Sequence, residues 1–384
     1  MRIGIDARWI FRELSGIGTY TRELVKHLAE IDRQNEYVLF FDRAAALEEV
    51  RAFAHLEEAP NFSTSLLAHG PFSPWSQLVL PSLFTRLRLD VFHSANYMIP
   101  FLAFPRNRAG DTLCVVNLHD LIPLLFPHYS PRSKKARLLP LYRLLMTEVG
   151  RRADVIITGS SSARSDILRE LQISNPSTVV VIPDGVDARF TPSGAAKAHT
   201  KTILYVGRLD PYKNVPRLVE AFWRVRQTAA PEATLRIVGP KDDRYPEAPR
   251  LAEKLGLGPL VQWAGYLTDW ELVEAYRQAA VFVLPSRYEG FGLPALEAMA
   301  CGTPVICSNA ASLPEVVGDA AMQVDPDDVE GLAEAIARVL TDEALASTMR
   351  EKGLRRAAQF SWRRTAQLTL EVFRSLKETK KQQV

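Results

Sequence analysis

Two doubly wound, Rossmann-like parallel-sheet domains of the α/β class are predicted for this chain by three features of its sequence. Short apolar runs of the kind that form buried parallel strands alternate with segments of helical period in both halves of the chain. A length of 384 residues exceeds what one hydrophobic core usually serves. Between the halves, residues 190–200 are small and polar, as linkers are, and they set the domain boundary at 190/191. Ligands of such sheets bind beyond the carboxyl ends of the strands, so two of them facing one another predict a cleft site.

In the first half, residues 2–7 read as a buried strand and 19–31 as an amphipathic helix with Tyr20, Leu24, Leu28 and Ile31 on one stripe. The loop between them holds Ser15, Gly16, Ile17 and Gly18. Its two glycines allow a ligand close to the backbone at a helix N-terminus, although a simple turn has the same composition. Strands follow at 37–41, 90–93 and 113–117, while 61–81, rich in Ser, Pro and Phe, reads as an irregular loop. His119 and Asp120 fall at the carboxyl end of the 113–117 strand, where ligands of open α/β sheets bind and where histidines are also often structural. Residues 106–152 hold nine Lys or Arg against three acids, Asp111, Asp120 and Glu148. Within them Leu138, Leu141, Leu144 and Leu145 stand beside basic side chains. This suits a helix resting on anionic lipid, and equally a helix docked on the sheet with a solvated basic edge, with Pro140 interrupting the pattern. A strand at 153–159, a serine-capped helix and a strand and turn over 179–187 close this half.

The second half restarts with a strand at 202–206, the loop carrying Gly207, Arg208, Lys213 and Asn214, and a helix through Arg226. Strands at 234–239 and 261–265 bracket a helix near 250–255; a helix over 269–279 follows, with Thr268 and Glu271 as its capping box. A strand at 281–285 then leads through a glycine-flanked turn into the helix LPALEAMA, stopped by Gly302. Glu289 precedes this turn and Glu297 lies about one helical turn inside. The N–H groups of Phe291, Gly292 and Leu293 open the helix, where unpaired donors and the dipole favour a phosphate. Two carboxylates around a phosphate site suit a polyhydroxylated phosphate ester, a nucleotide sugar. Taken alone, the same glutamates fit an ordinary surface pair. Arg208 and Lys213 lie on the same sheet edge and offer a planar fork and a point charge to a diphosphate. Asp325, Asp327 and Asp328 read as a strand end and an acid-rich helix start, leaving no metal motif. The chain finishes in a helix with a polar tail.

Composition narrows the function classes. A formal charge of +3 with no basic face interleaved with aromatics argues against nucleic acid. Cys114, Cys301 and Cys307 lie in apolar contexts without metal spacing or an even-numbered framework, which predicts a reducing cytoplasm. Neither a signal peptide nor an uncharged run of membrane-span length is read from the sequence.

The run Glu289, GFGLPAL, Glu297, continued by AMACGTPVI, resembles the E-x7-E signature of retaining glycosyltransferases of family 4. The resemblance implies the GT-B fold, with an acceptor-binding domain over 1–190, a donor-binding domain over 191–362 and a final helix, 363–384, packing back on the first. It implies that Arg208 and Lys213 hold the leaving phosphates, that Glu289 holds hydroxyls of the transferred sugar and Glu297 those of the ribose, and that His119 lies near that sugar. His119, Glu289, Arg208 and Lys213 are thus the catalytic candidates. Gly16, Gly18, Gly207, Gly265, Tyr266, Gly290, Phe291, Gly292 and Leu293 complete the donor-binding set. The turn IPDGVD departs from the family's IPNGVD at Asp184, a change that both residues' tolerance of left-handed backbone allows. Residues 6–28 and 119–127 look most like bacterial mannosyl- and rhamnosyltransferases of surface polysaccharide synthesis. This implies GDP-mannose as donor, with UDP-glucose or a deoxysugar nucleotide as alternatives, a saccharide or lipid-linked oligosaccharide as acceptor, peripheral contact with the inner membrane face, and neither metal nor resident cofactor. A GT-B epimerase and a non-catalytic nucleotide-sugar binder are the competing classes.

Overall fold

The computed structural model describes residues 1–11, 16–106, 111–129, 138–192 and 201–382. They form two units: Met1–Leu124 with Leu138–Gly185 and the chain from Ser361 onward make the first, and Val186–Phe360 with the described residues of Leu125–Arg137 make the second.

The first unit is built on seven strands, β1 (Arg2–Asp6), β2 (Glu36–Phe41), β3 (Phe62–Leu66), β4 (Val91–Ser94), β5 (Leu113–Asn117), β6 (Val155–Thr158) and β7 (Val179–Val181), all parallel and ordered β3-β2-β1-β4-β5-β6-β7. Ile3 pairs with Tyr37 on one side and Val91 on the other, and the order reverses between β1 and β4. Strands β4, β5 and β6 carry buried residues at every position, because helices cover both faces of a parallel sheet. The final helix, Trp362–Gln382, belongs to this unit. Trp362 meets Tyr20 edge to face at 5.8 Å, the Thr365 hydroxyl donates to the Pro183 carbonyl at 2.7 Å, and Phe373 packs on His93.

The second unit holds β8 (Thr202–Val206), β9 (Thr234–Val238), β10 (Val261–Gly265), β11 (Val281–Leu284), β12 (Val305–Ser308) and β13 (Met322–Val324), again all parallel, ordered β10-β9-β8-β11-β12-β13. Its order reverses between β8 and β11. In an open α/β sheet the crevice for a ligand opens there, outside the carboxyl ends of those two strands.

Several local expectations need correction. Residues 61–81 are not an irregular loop: they contain β3 and the start of the helix Pro74–Leu87. As an edge strand β3 is only half-buried, so FSTSL lacks the apolar run that marks its neighbours. Pro74 sits in the helix's first turn, where its missing N–H costs nothing, and Pro81 removes one bond in the middle. Pro140 likewise opens the helix Leu139–Arg152 and does not interrupt it. The helix predicted from 19 begins at Gly16, which draws both glycines into its first turn. Ser15, and the basic residues Arg108, Arg132, Lys134, Lys135 and Arg137, lie outside the described residues, as do 193–200 of the expected linker. The units part at Gly185, ahead of the expected 190/191 boundary, because the Val186 N–H donates to Phe360 O and Phe190 is buried in the second core.

Candidate active site

The loop after β8 and the turn after β11 are tied together by backbone and amide bonds before any charge is considered. Asn214, in left-handed conformation at φ +60°, donates its side-chain amide to Pro285 O at 3.1 Å and to Pro326 O at 2.6 Å. The Arg287 N–H donates to Tyr212 O at 2.8 Å. The buried Tyr205 hydroxyl holds the other end of the loop through Arg208 O at 2.7 Å. The consequence is a forked contact: Lys213 Nζ donates to Oε1 of Glu289 at 2.7 Å and to Oε2 at 2.8 Å. The hydroxyl of Ser286, itself fully buried, adds a third bond to Oε1 at 2.6 Å.

Glu289 is 8% exposed, so its charge is sustained by these donors and not by water. Burial works to lower the Lys213 pKa, but the carboxylate of Glu289 more than offsets it and leaves the ammonium held above its ordinary value. An ammonium has three donors. Two are spent on Glu289, leaving one for an anion, while Oε2 of Glu289 keeps acceptor capacity for a hydroxyl.

Gly292 caps the helix Leu293–Ala300 at φ +106°, and a Cβ there would stand 2.6 Å from Leu313 Cδ2. Only glycine fits both the backbone and the space. The Ser312 hydroxyl, at 2.9 Å from both Glu289 O and Phe291 O, clasps the turn from below. The Phe291 ring is buried against Phe360, so this residue offers a ligand its backbone and not its ring. The helix N-terminus and Glu289 are therefore parts of one turn, which Lys213 reaches from the loop after β8.

The remaining donor-binding candidates are placed differently. Arg208 is 58% exposed and pairs with Asp210 at 2.7 Å, outside the Lys213–Glu289 contact. Gly207 and Gly239 stand just past β8 and β9, and Gly265 ends β10, with bonds from Gly207 N to Val238 O at 2.9 Å and from Gly239 N to Gly265 O at 2.8 Å. Tyr266 is exposed beside Gly265, and Gly290 is half-buried. In the first unit, His119 lies just past β5, with Nε2 3.1 Å from Ala95 O and its ring against Tyr20. Burial pushes the neighbouring Asp184 carboxyl up to about 6, and His119 partly offsets this. Gly16 is exposed, with open space where a Cβ would be, so no packing requires it to be glycine.

Glu297 is engaged by Tyr276, whose hydroxyl donates to Oε2 at 2.8 Å. Burial raises the Glu297 pKa to about 7, with the Tyr276 bond and Arg189 acting against the shift. The ordinary value of the group is 4.5, so between the two pH values the folded chain holds a proton that the unfolded chain has released. The stabilisation is complete below the lower value and is lost as pH rises to the upper. Glu297→Gln is expected to flatten this decline in a series of urea denaturations across pH. Ionised Glu297 accepts two hydroxyl bonds where the acid accepts fewer. Nucleoside diphosphate affinity of the parent should accordingly rise about tenfold through neutral pH, as one charge-assisted bond is worth, and calorimetric titration of the Gln variant should show no such rise.

Ser286, Ser312, Tyr276 and Gly239 were not evident from the sequence. Ser286 had a local signal, being three residues ahead of Glu289 in the same turn; the others reach the site only through the sheet. The run at 325–328 behaves as read, with Asp328 capping the helix Val329–Thr341 through the Gly331 N–H and Asp327 paired with Arg287. Among the described residues no helix is long and apolar enough to cross a membrane.

Residues 187–356 match the family model Glycosyl transferases group 1, and residues 14–190 match Glycosyltransferase Family 4. The chain is a family 4 glycosyltransferase. This glycosyltransferase is 29% identical over 389 residues to O-antigen chain mannosyltransferase B of Escherichia coli, across 94% of the present chain and 97% of that one. It is 32% identical, over 74% of its length, to the serotype-specific mannosyltransferase WbdA of Escherichia coli, of which it spans 36%. Among solved structures it is similar to sucrose-phosphate synthase from Thermosynechococcus elongatus, with a TM-score of 0.79 at 24% identity, covering 99% of this chain and all (100%) of that one. Its two parallel-sheet domains have the GT-B fold.

Proposed function

We propose that this glycosyltransferase moves a mannosyl residue from GDP-mannose, with retention at the anomeric carbon, to a saccharide carried on a lipid at the inner face of the cytoplasmic membrane. The observation that carries the reading is the fork from Lys213 to Glu289 beside the helix N-terminus at Gly292, at the point where the second sheet reverses. Breaking the bond between the sugar and the diphosphate builds negative charge on the leaving phosphate. The third donor of Lys213, the Arg208 guanidinium and the opening amides of the helix supply fixed positive charge to it, which is preorganised electrostatic stabilisation. Glu289 accepts from a hydroxyl of the transferred sugar, and Glu297 from the ribose. The acceptor hydroxyl attacks on the face the phosphate leaves, and the departing phosphate takes its proton. Similarity to an O-antigen mannosyltransferase supports mannose as the sugar, and no step calls on a metal ion.

The test is nucleoside diphosphate release from GDP-, UDP-, ADP- and dTDP-sugars, with bacterial lipid extract as acceptor and EDTA present. GDP released from GDP-mannose alone is the expected result, and Arg208→Ala should reduce it by about a hundredfold, the usual effect of removing one donor to developing charge. Release from another donor would replace mannose, and loss on chelation would bring a metal into the reaction. Nucleotide binding without release, lipid extract included, would overturn the catalytic reading.

A further inference from the structure

Soluble proteins rarely leave large apolar side chains clustered on one face unless that face meets a partner. The first unit has such a face, formed by three segments. On the helix Pro74–Leu87 the inner stripe of Leu80, Leu83 and Phe84 is buried, yet the outer stripe is apolar too: Trp75 is 60% exposed, Leu78 59% and Val79 43%. On the helix Leu139–Arg152, Leu141 and Leu144 are exposed opposite the buried Tyr142, Met146 and Val149. Between these helices runs the turn Phe101–Ala103, which packs against both and presents Leu102 at 65% exposure.

The three segments are held as one surface. Gln77 donates to Ile99 O at 3.0 Å and accepts from Phe101 N at 2.7 Å, fixing the first helix to the turn. Arg152 donates to Phe101 O at 2.9 Å, fixing the second. Arg106 and Arg152 both bond to Glu148, and this is the only carboxylate that these segments contain among the described residues. Glu148 is buried and its charge compensated, with Arg151 also paired to it at 3.5 Å, whereas Arg86 and Arg143 are exposed. These segments thus pair exposed apolar side chains, including a tryptophan, with cations, and carry no exposed acid among their described residues.

From this pairing we infer that the face docks on an anionic lipid bilayer, with Trp75, Leu78, Leu102, Leu141 and Leu144 entering the headgroup boundary and the arginines meeting lipid phosphates. A protein partner of matched shape would be expected to answer the cations with carboxylates at fixed points. A bilayer answers them anywhere on its plane, which suits arginines spread over three segments. The surface fits a lipid-linked acceptor, but its test uses neither donor nor acceptor, so its failure would leave the transfer reading standing.

The test is co-sedimentation of the full chain with vesicles of phosphatidylethanolamine and phosphatidylglycerol, or of phosphatidylcholine alone. Binding to the anionic vesicles only, weakened by salt, is expected. Trp75→Ser with Leu141→Ser, and separately Arg86→Glu with Arg143→Glu, should each weaken it by about tenfold or more, while thermal melting and nucleotide binding stay as in the parent. Equal binding to both vesicle types, or binding that neither pair of substitutions weakens, would overturn the proposal. So would sedimentation equilibrium showing a dimer that the Trp75→Ser and Leu141→Ser pair dissociates, since a second copy would then be the occupant.

Discussion

Lys213→Ala is expected to lower kcat/KM for sugar transfer by about a thousandfold, the scale at which removing a preorganised donor to developing charge is felt. The substitution takes the only cation bonded to Glu289 among the described residues and leaves that carboxylate, 8% exposed, with the Ser286 hydroxyl. Stability should fall as well, by about 3–5 kcal/mol, because a buried charge is stranded and the loss greatly exceeds what the intact pair contributes. The two effects can be separated. Lys213→Met combined with Glu289→Leu removes both charges and fills their space, and urea denaturation should place it within about 1–2 kcal/mol of the parent. Its transfer activity should nevertheless remain as low as that of Lys213→Ala. A non-additive cycle is also expected in activity, Glu289→Ala and the double alanine variant being nearly as impaired as either single one, since the two groups act as a unit. If Lys213→Ala turned donor over at the parent rate, the pair would be a fold-holding ion pair and the diphosphate would have to be met elsewhere.

Gly239→Ala should disturb the same site from beneath. Gly239 has φ +151°, and a Cβ built on it would lie 2.0 Å from Gly207 O and 2.9 Å from Gly207 C. Both contacts are backbone, so no side chain can turn away, and β8 and β9 must part at their carboxyl ends. The loop that begins at Gly207 delivers Arg208 and Lys213, and it is referenced to β9 by the bond from Gly207 N to Val238 O. A cost of about 4 kcal/mol is expected, combining a strained backbone with overpacking, and with it a melting temperature lower by about 10 °C. Gly256→Ala is the control. Its φ is +69° with nothing within 4 Å of a Cβ, so it should cost only the backbone term of about 1 kcal/mol. Donor affinity should fall in the first variant and hold in the second. Equal melting temperatures for the two would mean that the close approach at Gly239 relaxes freely and does not register the loop.

What could be read directly from the chain was whatever depends on neighbours in sequence. Strands buried on both faces, such as LCVVN and VFVLP, need continuous apolar runs, so the alternation that defines two parallel sheets was legible residue by residue. The capping box of Thr268 and Glu271 formed as its spacing predicts, since both members lie within one turn of chain. The paired glutamates and the glycine turn between them were legible for the same reason. Where burial is partial the signal failed: β3 lies at a sheet edge with one neighbour, and its polar, half-exposed sequence looks like loop. Tertiary structure alone decided which charges meet. Lys213 and Glu289 are 76 positions apart, and either could have been a solvated loop residue. They meet because β8 and β11 are adjacent at the reversal of the second sheet, and Asn214 binds one loop to the end of the other strand. Glu297 differs from Glu289 on the same ground, held by Tyr276 from a neighbouring helix and pushed up to about 7 by the burial that this packing creates. Composition sets how many charges a chain carries, whereas their energies depend on distance and on exclusion of water, and both are properties of the packed sheet.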